Sequence, residues 1–319
     1  MKKTVLLLVL SLTFAASAQE QPATSSDQNA PAGTEATNVN FPIERIPTPT
    51  YSDLYCAGFV SKSLLPDANF IAGGLDTPNT TKYGLGELVY LTGKGYELGK
   101  RYSIVRELRD PNRYEIYPGQ FAQLKSMGQP YADLGIIRIV DTRHRTAIGH
   151  IELSCGPMIP GDIVTPFVEK ASVSFHPPLR FDRFLPPTGK ASGRIVMAKD
   201  FDTELGTGMK VYLNVGANQG VKTGDYLRAV RSYEADLHNP VDSLSFAAST
   251  ADDTQAKPPS IESGMLNRSK GPVIHVADLP RRAVGEIVIL SSTSTTSTGM
   301  IVFALEDVHI GDVVELDPQ

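Results

Sequence analysis

The chain has 319 residues, 41% of them hydrophobic, with two cysteines and no tryptophan. That is enough apolar material for two small cores. Its 35 acidic against 30 basic residues leave a formal charge of -5, which excludes partners that demand clustered Lys and Arg, so no nucleic acid or anionic membrane surface is expected.

Met1-Lys2-Lys3, an apolar run over 5–14 and the small residues Ala16-Ser17-Ala18 have the charge, length and cleavage pattern of a bacterial secretory signal peptide over 1–18. The run falls short of the ~20 apolar residues that span a bilayer, and no later stretch qualifies, so no transmembrane segment is expected after cleavage. The product is expected to be exported, to the periplasm or the cell surface of a bacterium. Residues 19–50, rich in Gln, Ala, Thr, Ser, Asn and Pro, cannot bury enough surface to offset their ordering entropy and read as a disordered leader.

A first module over 51–167 reads almost wholly as strand. Short β-branched or aromatic runs at 55–60, 69–73, 87–92, 101–108, 134–140, 150–154 and 162–166 are separated by Gly, Pro, Asn and Asp. Within 135–139, alternation sets Ile137 and Ile139 on one face and Ile136 and Arg138 on the other, the pattern of a half-buried antiparallel sheet. One short helix is expected over 120–127. A linker over 168–190 follows, in which Pro177-Pro178 and Pro186-Pro187 favour extended backbone and space the modules apart. A second module over 191–319 has strands at 192–197, 210–215, 226–233, 283–290, 299–305 and 312–316, broken by a mobile insertion over 234–280.

The two modules are copies. Residues 134–164 align without a gap on 284–314, and Gly135, Ile137, Ile139, Thr146, Gly149, Ile151, Gly161, Asp162 and Val164 recur as Gly285, Ile287, Ile289, Thr296, Gly299, Ile301, Gly311, Asp312 and Val314. Upstream, Val89-Tyr90-Leu91 returns as Val211-Tyr212-Leu213 and Val105-Arg106 as Val230-Arg231. The expected fold is mainly β: two tandem small antiparallel β-barrels after a signal peptide and leader. The alignment sets Ala191 and Leu305 opposite Cys56 and Cys155, so both cysteines are missing together from copy two. A disulfide between Cys56 and Cys155 is the natural reading in an oxidising compartment.

Candidate chemistry is sparse. Gly161-Asp162, Gly224-Asp225 and Gly311-Asp312 each precede a hydrophobic strand. They read as structural turns, Gly supplying a positive φ and Asp bonding back to the backbone, rather than as acids or ligands. The six histidines show no metal-ligand spacing, no nucleophile motif occurs, and no carboxylate has a context that signals desolvation. No catalytic residue, metal or cofactor is expected, and the protein reads as a non-enzyme. Tyr114, Tyr117, Gly119 and Phe121 resemble the opening of a LysM peptidoglycan-binding repeat, although a LysM needs two helices where one is expected here.

The pattern Val211-Tyr212-Leu213-Asn214-Val215-Gly216, then 219–225, Val284-Gly285-Glu286 and Gly311-Asp312-Val313-Val314, resembles the C-terminal β-barrel of flagellar assembly protein T and related barrels of exported LysM-associated envelope proteins. Copy one matches less closely, through 88–91 and 99–105. The resemblance implies a non-catalytic cell-envelope component with no catalytic residue to carry over. The expected function is a binding or assembly module for another envelope protein, docking on exposed strand edges or on the 234–280 insertion. The alternative is a wall protein that recognises peptidoglycan through 114–127.

Overall fold

The computed structural model describes residues 48–77, 79–111, 113–174, 183–184, 186–232, 254–255, 274–275 and 280–317. The signal peptide, most of the leader, the Pro177-Pro178 part of the linker and most of the 234–280 insertion lie outside these residues. In chain order the first copy contains α1 (Tyr51–Tyr55), β1 (Phe59–Ser61), β2 (Phe70–Gly74), β3 (Leu88–Thr92), β4 (Arg101–Glu107), α2 (Gln120–Met127), β5 (Gln129–Thr142), β6 (Thr146–Ser154) and β7 (Ile163–Pro166). The second contains β8 (Ser192–Ala198), β9 (Glu204–Leu205), β10 (Lys210–Leu213), β11 (Tyr226–Arg231), β12 (Thr254–Gln255), β13 (Ile274–His275), β14 (Arg282–Ser292), β15 (Ser297–Ala304), β16 (Val308–His309) and β17 (Val313–Leu316).

Each copy closes into a six-stranded antiparallel barrel. In copy one the order is β5-β4-β7-β2-β3-β6, with β6 returning to β5. In copy two it is β14-β11-β17-β8-β10-β15, with β15 returning to β14. The orders superpose strand for strand, so the sequence repeat is a repeat of topology. Alternation fills the interiors: Ile137, Ile139 and Ile151 in one barrel and Ile287, Ile289 and Ile301 in the other are all buried in the two cores. Each such side chain contributes about 1.5–3 kcal/mol of burial.

Four expectations need correction. The run at 55–60 is not one strand. Thr50 and Asp53 form a capping box, the Thr50 hydroxyl accepting from the Asp53 N–H at 3.2 Å and the Asp53 carboxylate from the Thr50 N–H at 2.9 Å, and this starts α1. β1 follows and pairs with the first residues of β5, ahead of the part that pairs with β6. Among the described residues copy two has no counterpart of α1 or β1, and β8 occupies the place of β2. Cys56 is therefore not equivalent to Ala191. Cys155 is equivalent to Leu305, since their amides donate to the matching carbonyls of Leu134 and Val284, each at 2.8 Å.

The linker also does more than space the modules. Phe167 stacks on Tyr55 with ring centroids 5.5 Å apart, and Val173 is buried beside Leu54, Tyr226 and Val288. Lys170 reaches the Leu54 carbonyl at 2.9 Å and Asp133 at 2.7 Å. These contacts help join the barrels, and both belong to one compact unit. Finally, closure removes most of the strand edges on which docking was expected, because every barrel strand is paired on both sides. The extra strand β1 has its outer side against β15, where the Gly58 carbonyl accepts from the Thr298 hydroxyl at 3.2 Å.

Candidate interaction surfaces

The residues that recur with chemistry in both copies build turns. Gly161, Gly224 and Gly311 have φ of 95°, 92° and 102°, and the following Asp162, Asp225 and Asp312 each accept from the amide three residues back, at 2.7, 2.7 and 2.8 Å. Asp162 and Asp312 do more. Arg106 forks onto Asp162 at 2.6 and 2.8 Å, and Arg231 forks onto Asp312 at 2.8 Å twice. The same guanidinium groups also bond the Pro157 and Asp307 carbonyls. This clamp ties β4 to the turn before β7 and β11 to the turn before β17. The sequence carries its signal in the joint recurrence of Val-Arg and Gly-Asp.

A second set of side chains joins the barrels. Asp53 pairs with Lys210 at 2.6 Å. Burial opposes ionisation of Asp53, yet the hydrogen bonds from Lys210 and Thr50 outweigh it and hold its pKa below the ordinary value. Leu54, Tyr55 and Ala57 pack with Tyr226, Val288, Leu290, Met300 and Val302. Tyr212, fully buried, donates to the Ala57 carbonyl at 3.3 Å. Gly58 has φ 75°, and a Cβ there would lie 2.2 Å from the Tyr212 hydroxyl and 2.6 Å from the Tyr131 carbonyl. Gly58→Ala should therefore destabilise by about 2–4 kcal/mol, from left-handed backbone and overpacking together. In urea titrations, Tyr212→Phe in the Gly58→Ala background should recover only part of that, since the Tyr131 carbonyl stays in place; full recovery would show that the backbone is unstrained.

The four LysM-like residues divide between this joint and solvent. Tyr114 is 84% exposed and Phe121 39%. Gly119 stands at the start of α2 with φ 85°. Tyr117 packs on Gly311 and under the Arg194 guanidinium, 5.6 Å from its ring, and burial pushes its phenol up to about 12. The neighbouring Gln120 is 1% exposed and donates to the Val196 carbonyl at 3.0 Å. Gln123 accepts from Asn214 at 3.0 Å. The loop and helix over 114–127 therefore bolt copy one to β8 and the end of β10. Cys56 and Cys155 form a disulfide with Cα atoms 5.4 Å apart, tying α1 to the strand end after β6.

One open surface of barrel one carries charge. A depression of about 570 Å³ is lined by Tyr51, Leu85, Arg101, Ile136, His150 and Glu152 among others. Glu152 accepts from Arg101 Nε at 2.8 Å and from Arg138 Nε, and Arg138 Nη1 donates to the Gly99 carbonyl at 3.1 Å. Burial works against ionisation of Glu152, and the two arginines outweigh it to hold its pKa below the ordinary value. The Tyr51 phenol is pushed up by burial and by Tyr55, with Arg101 opposing and Glu152 and Glu169 adding to it. Sequence reasoning missed this cluster because its members come from three strands with no local motif.

Among the described residues no group of three His, Cys, Asp or Glu side chains is placed to hold a metal, and no helix is long and apolar enough to cross a membrane. The chain matches no protein-family model and no curated protein. The resemblance to the flagellar assembly protein T barrel thus rests on the turn glycines and strand residues named above.

Proposed function

We propose that this chain is a non-catalytic, exported cell-envelope protein that acts as a binding or assembly module for another envelope protein. The observation that carries this reading is where the repeated polar residues go: the arginine–aspartate clamps are taken up by turns, and both barrel interiors are filled by apolar side chains. A solid body of this kind offers faces rather than a reaction cleft. The depression on barrel one holds a single lining carboxylate, Glu152, already held by two arginines, where glycosidic chemistry needs a pair. The disulfide fits an oxidising compartment, and the resemblance to the flagellar barrel points the same way.

The competing reading is peptidoglycan recognition through Tyr114, Tyr117, Gly119 and Phe121, favoured by the exposure of Tyr114. Co-sedimentation with isolated sacculi at low and moderate salt separates the two. The protein should stay in the supernatant and, in intact cells, crosslink to an envelope protein. Salt-resistant pelleting that Tyr114→Ala abolishes without changing the melting temperature would replace the first reading with the second.

A further inference from the structure

The two copies use one surface in two ways. On barrel two, the outer face of β11, β14 and β15 presents Tyr226, Val288, Leu290, Met300 and Val302, all buried in one cluster with Leu54, Tyr55 and Ala57 of the α1 segment, Val173 of the linker and Ile136 of barrel one. The registers place Arg101, Arg138, Val140, His150 and Glu152 at the same positions of barrel one: Arg101 pairs with Arg138 as Tyr226 pairs with Val288, and Arg138 with His150 as Val288 with Met300. There the face is open. Val140 is 45% exposed and the Arg101 and Arg138 side chains are 44% and 40% exposed.

Barrel two shows what such a face holds: a short chain segment laid across the outer strands, its carboxylate on a basic side chain (Asp53 on Lys210), its apolar residues Leu54 and Tyr55 against the sheet, and its carbonyls on Tyr212 and Thr298. Barrel one keeps Tyr90 at the place of Tyr212 but has Leu88 for Lys210 and Ile148 for Thr298, and its basic groups stand instead on β4 and β5. Arg101 gives only Nε to Glu152, so both of its η nitrogens point to no partner among the described residues, and Arg138 keeps Nη2 likewise. Tyr51 and Leu85, 54% and 68% exposed, form an apolar rim beside them. Two guanidinium groups share the one lining carboxylate, Glu152, and keep three η nitrogens that it does not take. Such donors match a carboxylate, which arginine takes in a fork.

We infer that this face of barrel one docks a segment of a partner protein bearing an Asp or Glu side chain next to an aliphatic residue, the carboxylate on Arg101 and Arg138 and the aliphatic group against Leu85 and Tyr51. This deepens the binding-module reading and rests on it. The test is selection of a displayed random-peptide library on the immobilised protein, with Arg101→Glu/Arg138→Glu as the counter-target and Leu85→Glu as a second variant that breaks no ion pair. Enriched peptides should carry an acidic residue beside an aliphatic one and lose at least ~10-fold in affinity on either variant at unchanged melting temperature. No enrichment, enriched peptides without a carboxylate, equal binding to the variants, or competition by acetate alone at the peptide's own concentration would overturn the assignment. Failure here removes this surface only, because crosslinking in cells tests for a partner anywhere on the molecule.

Discussion

Replacing Arg231 with alanine is expected to destabilise the protein by about 3–5 kcal/mol, the cost of leaving a buried charge without its partner. The Asp312 side chain is 4% exposed and that of Arg231 6%, so water cannot take over the two hydrogen bonds the guanidinium makes to the carboxylate. What remains for Asp312 is the His309 amide at 2.8 Å. For a body of this size, that loss should lower the melting temperature by roughly 6–20 °C. Copy one offers an internal control: the same clamp has Asp162 at 2% but Arg106 at 35% exposure, so water can reach the arginine side and Arg106→Ala should cost less. Arg231→Met combined with Asp312→Asn should cost less than Arg231→Met alone, because no unpaired charge is then buried. Urea titrations of the single and double variants decide it. Equal costs for Arg106→Ala and Arg231→Ala, or a double variant no better than the single, would mean that burial of the pair does not set its worth.

The duplication was legible because its carriers are local: turn glycines, alternating isoleucines and the Gly-Asp starts of β7 and β17. The joint between the barrels was less so, yet part of its signal was present. In copy two, 287–290 and 300–302 are apolar at every position, against the alternation of Ile137-Arg138-Ile139 in copy one. A continuous apolar run marks a strand buried on both faces, and both faces of β14 and β15 are buried, one in the barrel and one under α1. The start of α1 was legible in the same way, since Thr50 and Asp53 have capping-box spacing. The false equivalence of Cys56 with Ala191 came from carrying the repeat past its end, into an added segment. The charged cluster at Arg101, Arg138 and Glu152 had no local sign at all, because only barrel closure brings β4, β5 and β6 side by side.

Removing the disulfide with Cys56→Ser/Cys155→Ser is expected to cost up to ~4.7 kcal/mol in the chain-entropy model, since the bridge joins cysteines 99 residues apart. That corresponds to a fall in melting temperature of as much as roughly 10–20 °C. Reductant should bring the native protein to the same value and leave the variant unchanged. The bridge also has a local role. α1 is held on barrel two by the Asp53–Lys210 pair and by Leu54 and Tyr55, whereas its covalent tie runs to barrel one. Without the bridge, α1 keeps its contacts with barrel two, and the strand that follows it is left on barrel one with its pairing to β5 and no covalent tie. Hydrogen exchange should therefore quicken in β1 and the first residues of β5, with the ladder of β10 and β15 less affected. Uniform loss of protection across both barrels would mean instead that the bridge acts only on the unfolded chain, and an unchanged melting temperature would mean that the noncovalent contacts of α1 suffice to hold it in place.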